Sequence, residues 1–186
     1  IFLGIPLLAR GSTSPFRWEI GLALIVIGEM VRLAGVAAAG SVTRRRSRNV
    51  QRLVTYGIFA WVRNPLYIGN FLIWIGFVTI SGVVWFVPVA VLLFAVEYEL
   101  IVRYEEGVLE SIFGRDYLEY KNCTPRWIAR PPSSPPPAGE YHWGEAFRSE
   151  VSTFLQYAVL LLAFWIKSQI MEGNVQAGAI GFFKRF

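Results

Sequence analysis

The stretch Ile20-Gly-Leu-Ala-Leu-Ile-Val-Ile-Gly-Glu29-Met-Val-Arg32-Leu-Ala-Gly-Val-Ala-Ala-Ala39 decides the class of this chain. At about 1.5 Å per residue, a helix of roughly 20 apolar residues crosses the hydrocarbon core of a bilayer. Its two charged residues, Glu29 and Arg32, stand three apart and therefore share one helix face. A charge at mid-membrane costs about 2.5 to 3.5 kcal/mol, so the pair is expected to offset part of that cost and to look inward.

Working outward, Leu66 to Ile80 and Val83 to Val102 are two more apolar runs, divided only by Ser81-Gly82. That junction predicts a tight helical hairpin, with the first run short enough to be tilted or broken at Gly69. Val151 to Met171 reads as a last span, and Ile1 to Ala9 as the clipped end of an earlier one, without a charged lead or a small-residue cleavage site. Gly11, Ser12, Ser14 and Pro15 supply turn chemistry between them. No internal repeat is apparent. The chain is 54% hydrophobic and 16% aromatic with a mean hydropathy of +0.44, too apolar for a soluble domain of 186 residues. The expected fold is all-α: one domain over residues 1–186, a polytopic membrane bundle of about four to five transmembrane helices with a cytoplasmic segment.

Charge placement sets the expected orientation. Arg44, Arg45, Arg46, Arg48, Arg52 and Arg63 fill one loop, and Arg103, Arg115, Lys121, Arg126, Arg130 and Arg148 another. Only Arg10, Arg17, Lys184 and Arg185 fall on the other side. Both rich loops are therefore expected on the cytoplasmic face of an integral, multi-pass protein. The net charge of +5 is explained by this bias without a nucleic-acid partner. Residues 103–150 hold most of the acidic groups and include the stiff polyproline-type linker Arg130-PPSSPPP-Ala138. One Cys and one His exclude a disulfide framework and leave no metal site to expect.

Two polar constellations lie in those loops. Gly57-Ile-Phe-Ala-Trp-Val-Arg63-Asn64-Pro65-Leu66-Tyr67-Ile-Gly69 stands where a loop enters a span, with Pro65 suited to a first helical turn and Asn64 to its cap. Taken alone, it is a capped helix with Arg63 snorkelling and Tyr67 in the aromatic belt. The second is Tyr104-Glu105-Glu106 followed by Leu109, Phe113-Gly114, Tyr117 and Tyr120. Positions 106, 109, 113, 117 and 120 recur at helical spacing, which an amphipathic interfacial helix explains. That explanation leaves two carboxylates standing at the end of an apolar span.

Together, over roughly Leu53 to Pro125, GIFAWVRNPLYIG and EEGVLESIFGRDYLEY resemble the paired motifs of the isoprenylcysteine carboxyl methyltransferase group and its phospholipid methyltransferase relatives. In that family the motifs read G-x-Y-x-x-x-x-R-H-P-x-Y-x-G and E-E-x-x-L-x-x-x-F-G-x-x-Y-x-x-Y. The resemblance implies S-adenosylmethionine as cofactor, contacted by Asn64, Pro65, Leu66, Tyr67 and Glu105, with upstream contacts at Gln51, Arg52, Leu53, Val54 and Phe59. It implies Arg63, Tyr67 and Glu106 as the residues nearest the chemistry. Three departures stand out: Asn64 replaces a His, Phe59 replaces a Tyr, and Ile101 stands where prenylcysteine enzymes carry the Arg that holds the substrate carboxylate. Asn64 can donate a hydrogen bond but does not titrate, Phe59 can stack but not hydrogen-bond, and Arg103 lies about 200° around the helix from Ile101. A C-terminal prenylcysteine substrate is weakened, and another lipophilic or prenylated acceptor stays open.

Methyl transfer from a sulfonium is an in-line displacement in which placement and exclusion of water outweigh acid–base groups. A carboxylate acceptor needs no base; an amine must first lose its proton, for which Glu106, Tyr67 or solvent is available. The rival readings are a sterol-type membrane reductase using NADPH and a non-catalytic membrane protein that keeps the fold. His142 and Cys123 read as incidental, and Lys167 inside the last span is expected to need a partner or a snorkelling route.

Overall fold

A computed structural model describes residues 3–11, 14–40 and 52–183, with side chains described up to residue 171. Gln51 and the arginines at 44, 45, 46 and 48 lie outside the described residues. The helices are α1 (Gly4–Leu8), α2 (Pro15–Ala39), α3 (Pro65–Ser81), α4 (Phe86–Phe113), α5 (Arg115–Cys123) and α6 (Trp143–Phe183), with a 3₁₀ turn at Gly57–Ala60. Among the described residues there is no strand. Two segments are long and apolar enough to cross a membrane, Pro15–Ala39 and Trp143–Met171; α3 is apolar but shorter.

Helix α2 begins earlier than its hydropathy suggests because Ser14 caps it, accepting the Arg17 amide on its hydroxyl, and Pro15 occupies the first turn. It packs antiparallel to α3 along a seam of glycines. A Cβ placed on Gly28 would lie 2.7 Å from the Gly69 carbonyl oxygen, one on Gly76 would lie 2.6 Å from that of Gly21, and one on Gly35 would press on Leu66. The spacing of seven along α2 keeps these residues on one face. Gly69 is therefore no break: α3 runs unbroken, and this glycine lets the two backbones approach. Gly69→Val is expected to destabilise the fold by about 1–3 kcal/mol, since the new atoms meet both the Arg32 side chain, held by its carboxylate partners, at 2.5 Å and the Gly28 carbonyl oxygen at 2.6 Å. Gly107→Ala, on α4 where a Cβ meets nothing within 4 Å, should be neutral or slightly stabilising. Thermal melting in detergent distinguishes the two.

The hairpin turns through Gly82, left-handed at φ 70, and the Ser81 hydroxyl accepts the Val83 amide at 3.2 Å. Helix α4 then continues eleven residues past Val102. The two carboxylates thus stand within a helix, not at the end of one. The stripe 106–109–113–117–120 is likewise not one helix, because Gly114 at φ 51 ends α4 and starts α5 in a new direction.

Helix α6 runs antiparallel to α2. The His142 amide donates to the Ala37 carbonyl at 2.8 Å, Arg32 donates to both oxygens of Glu150 (2.9 and 3.1 Å), and the Tyr157 hydroxyl donates to Glu29 at 3.1 Å. Arg32 also pairs with Glu29 at 3.3 Å and donates to the Asn70 side chain. The Glu29–Arg32 face looks inward, as its spacing predicts, and Glu29 and Glu150 are both buried. Farther along, Phe164 stacks on Phe77 with centroids 6.0 Å apart. Lys167 finds its partners in the carbonyls of Pro6 (2.5 Å) and Ser81 (3.2 Å), tying α1 and the end of α3 to α6. The opposite side of α6, including Val151, Leu155, Val159, Leu162, Ile166 and Ile170, is exposed.

Candidate active site at the α3 entrance

The chain enters α3 through the 3₁₀ turn and Arg63-Asn64, and Pro65 takes the first helical position. Asn64 occupies the cap position, but its side chain does not cap: the amide turns away and donates to the Arg126 carbonyl at 3.1 Å. Expected as a cap, Asn64 instead fastens the segment after α5 to the α3 entrance. The first-turn amides of α3 are left without a side-chain acceptor, at the positive end of the helix dipole.

Tyr67 projects from that first turn toward α4, and its hydroxyl lies 2.8 Å from both oxygens of Glu105. Its ring packs on Tyr98 at 4.7 Å, and Tyr98 stacks on Phe94 at 4.0 Å. Tyr67 is half-buried and Glu105 exposed, so the pair stands at a rim. Leu66 and Pro65 face α2 instead, against Gly35 and the cluster around Leu33 and Val36.

Glu106, one residue on, is buried and held by two guanidiniums. Arg126 donates to both of its oxygens at 3.1 and 2.6 Å, and Arg63 approaches at 3.2 Å. Arg126 also reaches Glu99 at 2.8 Å, Glu99 accepts the Trp127 indole at 3.1 Å, and Arg103 pairs with Glu99 rather than with the site. The hydrogen bond to Glu106 holds the Arg126 guanidinium above its ordinary pKa. Arg63 completes the tie by donating to the Lys121 carbonyl at 3.1 Å.

Below this, α5 supplies two phenols. Tyr120 donates to the Phe59 carbonyl at 2.8 Å, which fixes the 3₁₀ turn, and burial pushes its hydroxyl above the usual range. Burial, with the Glu106 charge as a lesser cause, pushes Tyr117 up to about 12. Both stay neutral at physiological pH. The unfolded chain ionises near pH 10 while folded Tyr117 holds its proton to about 12, so stability is full below pH 10 and falls as pH rises through that window. Tyr117→Phe should flatten this decline, of the order of 2 kcal/mol, in melting curves taken between neutral and strongly alkaline pH.

Upstream, exposed Arg52 lies over the Tyr56 ring at 5.4 Å, and Leu53 and Val54 are half-buried. The linker returns over this segment: the Arg130 amide donates to the Trp61 carbonyl at 3.0 Å, and the Tyr56 hydroxyl donates to Ala38 (2.6 Å) and Glu140 (2.9 Å) carbonyls. The structure thus brings Tyr67 to Glu105 and Arg63 to Glu106, with Asn64 beside them. Arg126 and Trp127 are members that reading the sequence missed; a basic–aromatic pair immediately after Pro125, at the end of the second motif, was the available signal.

Comparison with known proteins covers the same region. The phospholipid methyltransferase family profile matches residues 16–116, more than half of the chain. Protein-S-isoprenylcysteine O-methyltransferase B of Arabidopsis thaliana is 33% identical over 119 residues, covering 59% of this chain and 58% of that protein. The A form of the same plant is 38% identical over 111 residues, covering 55% and 54%. The Homo sapiens enzyme is 36% identical over 117 residues, covering 56% and 38%. The chain therefore spans from little more than a third to rather more than half of these relatives' lengths. On a family match that takes in α2, α3, α4 and the Tyr67–Glu105 contact, the chain belongs to the phospholipid methyltransferase family.

Proposed function

We propose that the chain is an integral membrane methyltransferase that takes its methyl group from S-adenosylmethionine and passes it to a lipophilic acceptor, either an isoprenylcysteine-like carboxylate or a lipid. The observation that carries this reading is the Tyr67–Glu105 contact beside an uncapped α3 N-terminus. The residues present fit the cofactor's chemistry. First-turn amides suit its carboxylate, the Glu105 carboxylate suits its ammonium or ribose hydroxyls, and the packed rings of Tyr67 and Tyr98 suit flat or cationic groups. Pro65 and Leu66 seat the turn against α2, and Arg52, Leu53 and Val54 form the approach from the loop.

When bound, S-adenosylmethionine supplies a sulfonium-activated methyl group. The chain supplies placement. Tyr67 aims Glu105 by its hydroxyl. Arg63 and Glu106 act by holding the α3 entrance, α4 and the post-α5 segment in register, because Glu106 is already bound by two guanidiniums. If the acceptor is an amine, its proton leaves through the exposed Tyr67–Glu105 rim. In this reading α2, α3, α4 and α6 span the bilayer, and residues 52–64 and 103–150 lie on the cytoplasmic side where the soluble cofactor enters. The family match does not favour an NADPH-dependent reductase, and Asn64, Phe59 and Ile101 are the residues that keep a non-catalytic reading open.

Membranes containing the chain, incubated with tritiated-methyl S-adenosylmethionine, should pass label into organic-extractable material, and Glu105→Ala should abolish the transfer. Label that stays aqueous in both samples sinks the proposal.

A further inference from the structure

Lys167 lies about 36 Å along α6 from Trp143, and a hydrocarbon core is about 30 Å thick. A helix that starts at one face of the bilayer has therefore brought this residue to the opposite headgroup boundary. The exposed indoles of Trp85, just past the α3–α4 turn, and Trp165 suit an aromatic belt at that level. The Lys167 ammonium donates to the Pro6 carbonyl (2.5 Å) and the Ser81 carbonyl (3.2 Å), and the Phe164 ring lies 6.0 Å away. These partners fix its place without cancelling its charge. Carbonyls are neutral, and the dipole at the C-terminal end of α3 is equivalent to about half an elementary charge. Among the described residues Lys167 makes no ion pair, and one of its three N–H donors is still unspent.

Beside it, α1 and α6 leave an open groove of about 430 Å³. Leu7, Leu8, Ala163, Ile166 and Ile170 wall it, and Lys167 is the single charged residue of its described lining. Helix α1 runs outward along this groove: Leu3 packs among Phe77 and Phe164 in the core, while Gly11 abuts Gly82 at the α3–α4 turn. Arg10, next in the chain to Ala9 of the groove wall, thus stands at the outer end. It is exposed and makes no ion pair among the described residues; Glu19, in the first turns of α2, is exposed and pairs with neither cation. Two cations at the headgroup end of an apolar groove complement a ligand that is anionic at one end and hydrocarbon at the other.

We propose that this groove binds an anionic phospholipid of the leaflet opposite the candidate active site, its phosphate at Lys167 and Arg10 and one acyl chain along Leu7, Ala163 and Ile166. Lipid held there braces α1 against α6. The leaflet rests on the membrane placement given under the proposed function; the site rests on the groove and its cations, and does not depend on methyl transfer.

The test uses the full chain in phosphatidylcholine nanodiscs carrying increasing amounts of phosphatidylglycerol, or of phosphatidylcholine, with a diazirine on the acyl chain. Phosphatidylglycerol should label residues 7–9 and 163–170 saturably, at least about ten-fold more than phosphatidylcholine bearing the same chain. Arg10→Gln, at an exposed position, should cut that preference about five-fold with the melting midpoint unchanged. Lys167→Gln should abolish the preference, but it also cuts the ties to Pro6 and Ser81, so Arg10→Gln is the decisive variant. Ile166→Trp, which crowds the groove, should remove the labelling, and Leu155→Trp on the exposed face of α6 should leave it intact. Equal labelling by the two lipids, or a preference that survives Arg10→Gln undiminished, overturns the headgroup site. Unsaturable labelling along the whole exposed face of α6, unmoved by Ile166→Trp, overturns the groove.

Discussion

Arg32→Met should be the most destabilising single substitution in the packing of α2, α3 and α6, costing about 3–5 kcal/mol. One guanidinium there serves three helices: it binds both oxygens of Glu150 on α6, Glu29 on α2 and Asn70 on α3. Glu150 is fully buried and Glu29 nearly so. Removing the cation takes from two buried carboxylates the guanidinium that both pair with, which is costlier than losing the attraction itself. The double change Arg32→Met with Glu150→Gln removes one of those carboxylates and should recover part of the loss. A cycle of melting midpoints for the two single variants and the double variant checks this. Equal midpoints for Arg32→Met and the parent would show that the cluster does not hold α6 in place.

The second large effect concerns function. Glu105→Gln should lower methyl transfer or adenosyl-ligand affinity by about a hundred-fold, and Tyr67→Phe by about ten-fold. On the proposed function the carboxylate itself would offer charge to the cofactor, whereas the Tyr67 hydroxyl would only aim it, at 2.8 Å to each oxygen and at an exposed rim where water can partly replace it. Glu106→Gln should act differently, lowering the melting midpoint first, because its charge is spent on Arg63 and Arg126 inside the protein. Rates, affinities and melting midpoints for the three variants separate the aiming role from the holding role.

The parts of this architecture fixed by local rules are legible in the sequence. Pro65 at a helix start, the Ser81-Gly82 turn and the inward Glu29–Arg32 pair follow from residue type and spacing. The seven-residue recurrence of Gly21, Gly28 and Gly35 was equally visible and points to the α2–α3 seam. What tertiary structure decides is not legible. Glu150 stands 118 residues from Arg32, and no periodicity announces it. Asn64 has the right chemistry for a cap, but a carbonyl brought by the segment after α5 competes for its side chain. Helix α4 outlasts its hydrophobic run, and the buried Glu106 is paired there by Arg63 and Arg126, cations that no local pattern places beside it. The motif pair predicts that residues 57–69 and 105–120 belong together, and Tyr67–Glu105, Arg63–Glu106 and Tyr120–Phe59 are the contacts that join them.

The most direct test of the central claim is calorimetric titration of the detergent-purified chain with S-adenosylhomocysteine and, separately, with NADPH. Saturable binding of the adenosyl ligand, lost in Glu105→Ala while the melting midpoint is kept, is the predicted result. Binding of NADPH alone, or of neither ligand by folded protein, would contradict it.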